Sequence, residues 1–270
     1  MPQIETGFLH TQGAPLYYEI AGQGQPVLLI HAGVADSRMW DEQFAFLAQH
    51  YRVIRYDLRG FGKSALPDGP FAHHEDPAAL LDHFGIAKAH IIGISFGGKV
   101  ALDFALTHLD LVASLVLVAP SVGGRPTIAE VQKFFAEEDA LLEQGDLEAA
   151  TELNLRLWVD GPKRTPEQVD PVVRKRVREM QLHAFTVPMP EGAQEIALTP
   201  PANTRLDEIR VPILLIVGDY DLPDKMSTVE ELASAIPQAR SIIFPGVAHM
   251  LTMERPEEFN QLVFDFLSHL

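Results

Sequence analysis

The chain contains no cysteine, which excludes disulfide staples, thiolate nucleophiles and cysteine-bound metals, and makes a reducing compartment, the cytoplasm, the expected setting. It is also short of positive charge. Its 21 Lys and Arg residues stand against 37 Asp and Glu, a formal net charge of −16. A nucleic acid or an anionic membrane would meet like charge, so neither is an expected partner. Long apolar runs are missing too: none approaches the roughly 20 residues that cross a bilayer, and Met1-Pro2-Gln3-Ile4-Glu5 shows no basic stretch followed by an apolar one. What the chain does have is core-forming sequence. Of its 270 residues 47% are hydrophobic, enough to bury one large core near the upper size of a single domain.

Apolar, β-branched runs at residues 27–30, 51–56, 89–94, 115–118, 213–217 and 241–244 recur between helical patterns. Their hydrophobicity is continuous rather than alternating, as in strands of a mostly parallel sheet covered on both faces. Ahead of them, residues 7–11 and 16–20 read as an antiparallel hairpin turning through Gln12-Gly13-Ala14-Pro15, which completes eight strands of an α/β fold. The rhythm stops after residue 120. Helical patterns at 128–142, 147–159 and 166–182 follow one another without strands, and Val211-Pro212 restarts the sheet. The expected division is therefore a core of residues 1–120 and 206–270 and a helical cap of residues 121–205, inserted after the sixth strand. Its basic run, Arg174-Lys175-Arg176-Val177-Arg178, reads as the solvated face of a helix.

The chemistry centres on Gly93-Ile94-Ser95-Phe96-Gly97, between a strand-like and a helix-like run. Any Gly-rich strand-to-helix turn could carry this pentapeptide. Its context, however, is that of a nucleophile elbow, in which a serine is pushed into solvent by a sharp turn and glycines two residues away let backbones pass. A serine hydroxyl needs a base, itself oriented by a carboxylate. His249 lies in a loop after the last strand and before a final helix, at the sheet edge where open α/β sheets build their sites. For the carboxylate, Asp219 and Asp221 both follow the 213–217 strand. Asp221, further into the loop, is the expected partner of His249, and Asp219 the expected brace of the turn. The loop after residue 30 supplies Gly33 N–H as one candidate oxyanion donor, and Phe96 N–H is the other. His10, His50, His83, His90, His108, His183 and His269 read as scattered surface or cap residues. His73-His74-Glu75-Asp76 is weighed as a metal site and set aside, because adjacent histidines diverge and no second ligand cluster appears, so no metal or other cofactor is expected.

With these motifs together the chain resembles the α/β-hydrolases over nearly its whole length. The resemblance rests on the elbow, on His31-Ala32-Gly33, on Asp57-Leu58-Arg59-Gly60-Phe61-Gly62-Lys63-Ser64, and on Gly246 to His249 followed by Glu254-Arg255-Pro256. It implies the order Ser95, Asp221, His249 for a catalytic triad, and a bracing role for Asp57 and Arg59. A serine nucleophile argues against haloalkane dehalogenases and epoxide hydrolases, which use aspartate there. The stretches Met39-Trp40-Asp41 and Trp158-Val159-Asp160-Gly161-Pro162 are similar to enol-lactonase-like hydrolases and small carboxylesterases. The resemblance therefore implies hydrolysis of a small-molecule ester or lactone by a monomer or homodimer. Two alternatives stay open: a C–C bond hydrolase or perhydrolase with the same triad, and a ligand-sensing homologue. Val34, Phe134, Phe135, Leu157, Trp158, Phe185 and Met250 are the candidate pocket residues, although plain helix packing would use the same cap side chains.

Overall fold

The apolar runs do form strands. In the computed structural model, which describes residues 2–270, they are β1 (Glu5–Thr11), β2 (Ala14–Ala21), β3 (Pro26–Ile30), β4 (Arg52–Tyr56), β5 (Ala89–Ile94), β6 (Val112–Val118), β7 (Ile213–Gly218) and β8 (Ala239–Phe244). They make one sheet in the order β1-β2-β4-β3-β5-β6-β7-β8. β2 pairs antiparallel with β1 and β4, and every other pairing is parallel. This is the eight-stranded, mostly parallel sheet that the resemblance implies.

Several expected boundaries shift, two of them for a clear local reason. The β1–β2 turn is tighter than its sequence suggests, because Ala14 and Pro15 are already paired with Thr11 and His10. Only Gln12 (φ 48°) and Gly13 (φ 78°) turn, both left-handed, the geometry whose twist matches a two-residue hairpin. β6 begins at Val112 rather than residue 115. Its apolar pattern is interrupted by Ser114, whose hydroxyl is satisfied inside the sheet by His90 Nδ1 at 2.8 Å. His90 is thus a buried strand residue, not a surface one, and burial lowers its pKa.

The α-helices are α1 (Asp41–Leu47), α2 (Asp76–His83), α3 (Phe96–Thr107), α4 (Ala129–Glu143), α5 (Leu147–Asn154), α6 (Pro171–Ala184), α7 (Pro223–Ala235), α8 (Leu251–Glu254) and α9 (Pro256–Ser268). Successive strand residues alternate between the two faces. Leu28, Ile30, Ile91, Leu115, Leu117, Leu215 and Val217 pack with α2, α3 and α7, while Val27, Leu29, Ile92, Val116, Leu214 and Ile216 pack with α1 and α9. Burying each such side chain contributes roughly 1.5–3 kcal/mol, so continuous hydrophobicity is the price of covering both faces. Among the described residues no helix is long and apolar enough to cross a membrane.

Between β6 and β7 lies a helical segment containing α4, α5 and α6; against the expectation of no strands, its residues Gln194–Glu195 pair in parallel with Pro70–Phe71 as a separate two-stranded sheet. The expected helix at 147–159 is α-helical only to Asn154 and continues as a π-helix over Leu155–Asp160. The pattern at 166–182 is split, since Asp170 caps α6 by accepting from Val172 N–H at 2.8 Å and Pro171 occupies its first turn. The basic run on α6 is not a solvated face. Arg174 pairs with Glu152 and Asp160, Arg178 with Glu148 and Glu152, and Arg176 with Asp41 of the core, leaving Lys175 exposed. Carboxylates on α1, α5 and the π-helix face these arginines, a pairing that sequence spacing along α6 does not reveal.

Candidate active site

β5 ends at Ile94 and α3 starts at Phe96, so Ser95 alone makes the turn, at φ 56° and ψ −115°. A serine held there stores about 1–3 kcal/mol of strain, which its surroundings must offset. Its N–H donates to Val118 O at 2.8 Å, and its carbonyl accepts from Lys99 N and Ser121 N, each at 3.0 Å. The end of β6 is strained beside it, with Ala119 at φ 41°. The flanking glycines are demanded by distance. A Cβ on Gly93 would lie 2.3 Å from Gly97 O, and one on Gly97 would lie 2.4 Å from both Ile30 O and His31 O.

The loops after β7 and β8 meet at the same edge. His249 Nδ1 lies 2.7 Å from Asp221 Oδ2, and Asp221 Oδ1 accepts from Leu222 N–H at 2.7 Å. Both side chains are buried, so the carboxylate holds the ring in place and leaves Nε2 facing inward, buried and without a partner. Asp219 instead accepts from Gly246 N–H at 2.6 Å, tying the two loops together. Ser95 and His249 line one cavity without a direct hydrogen bond between them; such contacts commonly tighten only around a substrate.

The loop after β3 is braced from below. His31 Nε2 accepts from Leu58 N–H at 2.8 Å, which fixes the proton on Nδ1, donated to Ala32 O at 2.8 Å. Burial lowers the His31 pKa against the pull of Asp57, so the neutral ring that this pairing requires is favoured. Asp57 accepts from Ser37 N and Lys63 N, both at 2.8 Å, and Arg59 forms a fully buried pair with Asp76 at 2.8 Å. Above this brace Gly33 sits against α3, where an added Cβ would be 3.5 Å from Phe96 Cβ. Among the described residues no backbone carbonyl accepts from Gly33 N–H or Phe96 N–H, leaving both available as donors.

The cavity holds about 580 Å³, a small-molecule volume, with the helical segment as its roof. Val34, Phe134, Phe135, Trp158 and Phe185 line it, and the Trp158 ring lies 4.9 Å from that of His249, tilted by 45°. Leu157 and Met250 do not line it. Asn154 and Trp158 face inward, and Leu157, one position before Trp158 in the π-helical winding, is turned away from the cavity. Met250 is fully buried in the core on the α1–α9 face.

Several polar lining residues escaped sequence reasoning as pocket residues: His73, Ser121, Asn154, Gln181 and Lys225, while Arg59, expected only as a brace, lines the cavity too. His73 enters the sequence reading only as part of a candidate metal site. It is buried edge-on to Phe96, and desolvation, aided by Lys99 and Arg59, lowers its pKa to about 3. Lys225 sits four residues beyond Asp221, on the first turn of α7; a helix starting at the site edge is the one sequence signal that marked it.

The sequence profile of the alpha/beta hydrolase fold matches residues 25–256. RutD of Azorhizobium caulinodans, whose name assigns it provisionally to carbamate hydrolysis, is 30% identical, with 97% of this chain and 98% of that one aligned. The 2-hydroxy-6-oxo-6-(2'-aminophenyl)hexa-2,4-dienoic acid hydrolase of Metapseudomonas resinovorans is 28% identical over 97% of this chain and 90% of its own. The solved enol-lactonase of Burkholderia xenovorans LB400 superposes with a TM-score of 0.80 at 28% identity, covering 97% of this chain and 100% of that one.

Proposed function

Because this chain belongs to the α/β-hydrolase fold family, we propose that it is a serine hydrolase cleaving a carboxylic ester or lactone through an acyl-enzyme on Ser95. One observation carries the reading: a buried His249–Asp221 pair at 2.7 Å leaves Nε2 unpartnered in the cavity that the strained Ser95 also lines. The likeness to the enol-lactonase supports the choice of bond.

In this mechanism His249 Nε2 takes the Ser95 proton as Oγ attacks the ester carbonyl. Gly33 and Phe96 N–H groups hold the oxyanion, each contributing roughly 10²–10³ in rate. As the tetrahedral intermediate collapses, the C–O bond to the alcohol breaks and His249 returns the proton to the leaving oxygen. Water then attacks the acyl-enzyme, giving its proton to His249, and the acid departs as that proton returns to Ser95. Asp221 keeps the imidazole oriented and stabilises its charged form. The helical segment acts as a cap, its Phe134, Phe135, Trp158 and Phe185 shaping the space for the substrate.

Ser95→Ala is the direct test, read on a panel of methyl, p-nitrophenyl and lactone substrates. Turnover falls by about 10⁴- to 10⁶-fold while the circular dichroism spectrum is kept. Near-wild-type hydrolysis by the purified variant would remove Ser95 from the mechanism. Because one relative is named as a dienoic acid hydrolase, a dienoate C–C substrate belongs in the panel, and faster cleavage of it than of any ester would transfer the reading to C–C hydrolysis.

A further inference from the structure

Three basic side chains line the cavity, and two already sit in ion pairs, although Arg59 keeps Nη1 buried without a hydrogen-bond partner. Arg59 gives Nε and Nη2 to Asp76, and Arg125 is paired with Asp224 and Glu231. Lys225 is different. Its side chain is buried, with the residue 5% exposed, yet among the described residues no carboxylate lies within ion-pair distance of Nζ. Its one hydrogen bond runs to a neutral group, Ser121 Oγ, at 2.9 Å. Nζ also lies 5.8 Å from the Trp158 ring, the ring packed against His249.

A buried ammonium without a counter-ion is costly, and an ordinary core would not keep it. The nearby acids do not relieve it fully: Asp221 is bonded to His249 and Leu222, Asp224 to Arg125, and burial still lowers the Lys225 pKa against their pull. Donors remain unused at this point. Nζ has three N–H groups and spends one on Ser121, whose own hydroxyl proton stays available after its oxygen accepts from lysine. Ser121 N–H meanwhile donates to Ser95 O at 3.0 Å, which places this pair of donors next to the nucleophile.

We propose that Lys225 and Ser121 form a carboxylate subsite, so that the substrate is a short-chain ester or lactone carrying a second, ionised carboxyl group. One ammonium and one hydroxyl match the two oxygens of a single carboxylate. A dianion such as a phosphate fits less well, because Glu138, Glu195 and Asp224 share the cavity wall. The proposal rests on the ester-hydrolase reading and narrows it to anionic esters.

The test compares monomethyl glutarate with dimethyl glutarate, near-isosteres that differ by one charge, at pH 7.5. Wild-type protein favours the monoester in kcat/KM, and Lys225→Met lowers the monoester-to-diester ratio by about 10- to 100-fold. A ratio within threefold of wild type in Lys225→Met overturns the subsite, as does an equal loss on both esters, which would make Lys225 a positioning residue for Asp221. Lys225→Gln and Ser121→Ala serve if the methionine variant does not fold, each expected to reduce the same ratio, and no reduction in either would also overturn it. Binding separates the two claims. Calorimetry of monomethyl glutarate with Ser95→Ala and Ser95→Ala/Lys225→Met should show at least about tenfold weaker binding in the double variant. Lys225-dependent binding with no hydrolysis of either ester by wild type would sink the hydrolase reading alone, whereas hydrolysis with Lys225-independent binding would sink the subsite alone.

Discussion

The carboxyl edge of the sheet and the helical segment above it meet across one cavity but are held by different forces. β3 from Val27 onward, β5 and β7 are buried at every residue, and the loops leaving them are locked by backbone hydrogen bonds and close glycine contacts. In α4, by contrast, only Val131 and Phe134 of 15 residues are buried, and α6 buries four of 14. That segment depends heavily on arginine–carboxylate pairs such as Arg176–Asp41 and Arg178–Glu148, which stay partly exposed. Close packing fixes atoms to fractions of an ångström, which covalent catalysis needs, whereas partly exposed ion pairs stabilise weakly and tolerate rearrangement. On the proposed function, reactivity and the Lys225 subsite both belong to the edge, while the roof shapes the rest of the cavity wall.

The sharpest way to break this contrast is to crowd the edge. Gly97→Ala drives a methyl into two backbone carbonyls and should cost about 3 kcal/mol or more in urea unfolding; an unchanged midpoint would mean that the edge yields as easily as the roof. Acid comes next. With its folded pKa lowered to about 3, below the unfolded 6.5, His73 leaves stability untouched above pH 6.5. Below that pH the unfolded chain takes a proton that the folded site refuses, so stability falls as pH drops toward 3, by about 2 kcal/mol at pH 5. Thermal melts between pH 7 and 5 should show that slope flattened in His73→Leu, with His31 and His90, also lowered by burial, keeping part of it. On the roof the effects shrink. Arg174→Met should cost about 1 kcal/mol, weaken with added salt and raise hydrogen exchange in α5 and α6 before any change in the sheet. Lys175→Met, exposed beside it, should stay within about 0.5 kcal/mol in the same assay.

What could be read in advance follows the same division. The strands, the elbow and the loops bearing Asp221 and His249 were legible because each leaves a local mark: a continuous apolar run, a glycine spacing, an acid or histidine just past a strand. The choice between Asp219 and Asp221 followed from loop depth, and the structure places one against Gly246 and the other against His249. The roof leaves no such mark. Leu157 and Trp158 look equally suited to a pocket as sequence, and a π-helical winding separates them. The arginines of α6 look solvated until their partners on α1, α5 and the π-helix are seen.

The sequence alone determined the α/β class, the sheet's membership and the residues of the candidate triad, because backbone sterics and strand burial act over a few neighbouring positions. Tertiary structure alone decided which polar groups share the cavity. Lys225, Ser121 and His73 lie on separate elements, and only the folded chain reveals that Lys225 is buried beside Ser121 without a counter-ion and that His73 is held neutral. Desolvation and ion pairing depend on what surrounds a group in space, and that information is spread over residues far apart in the chain.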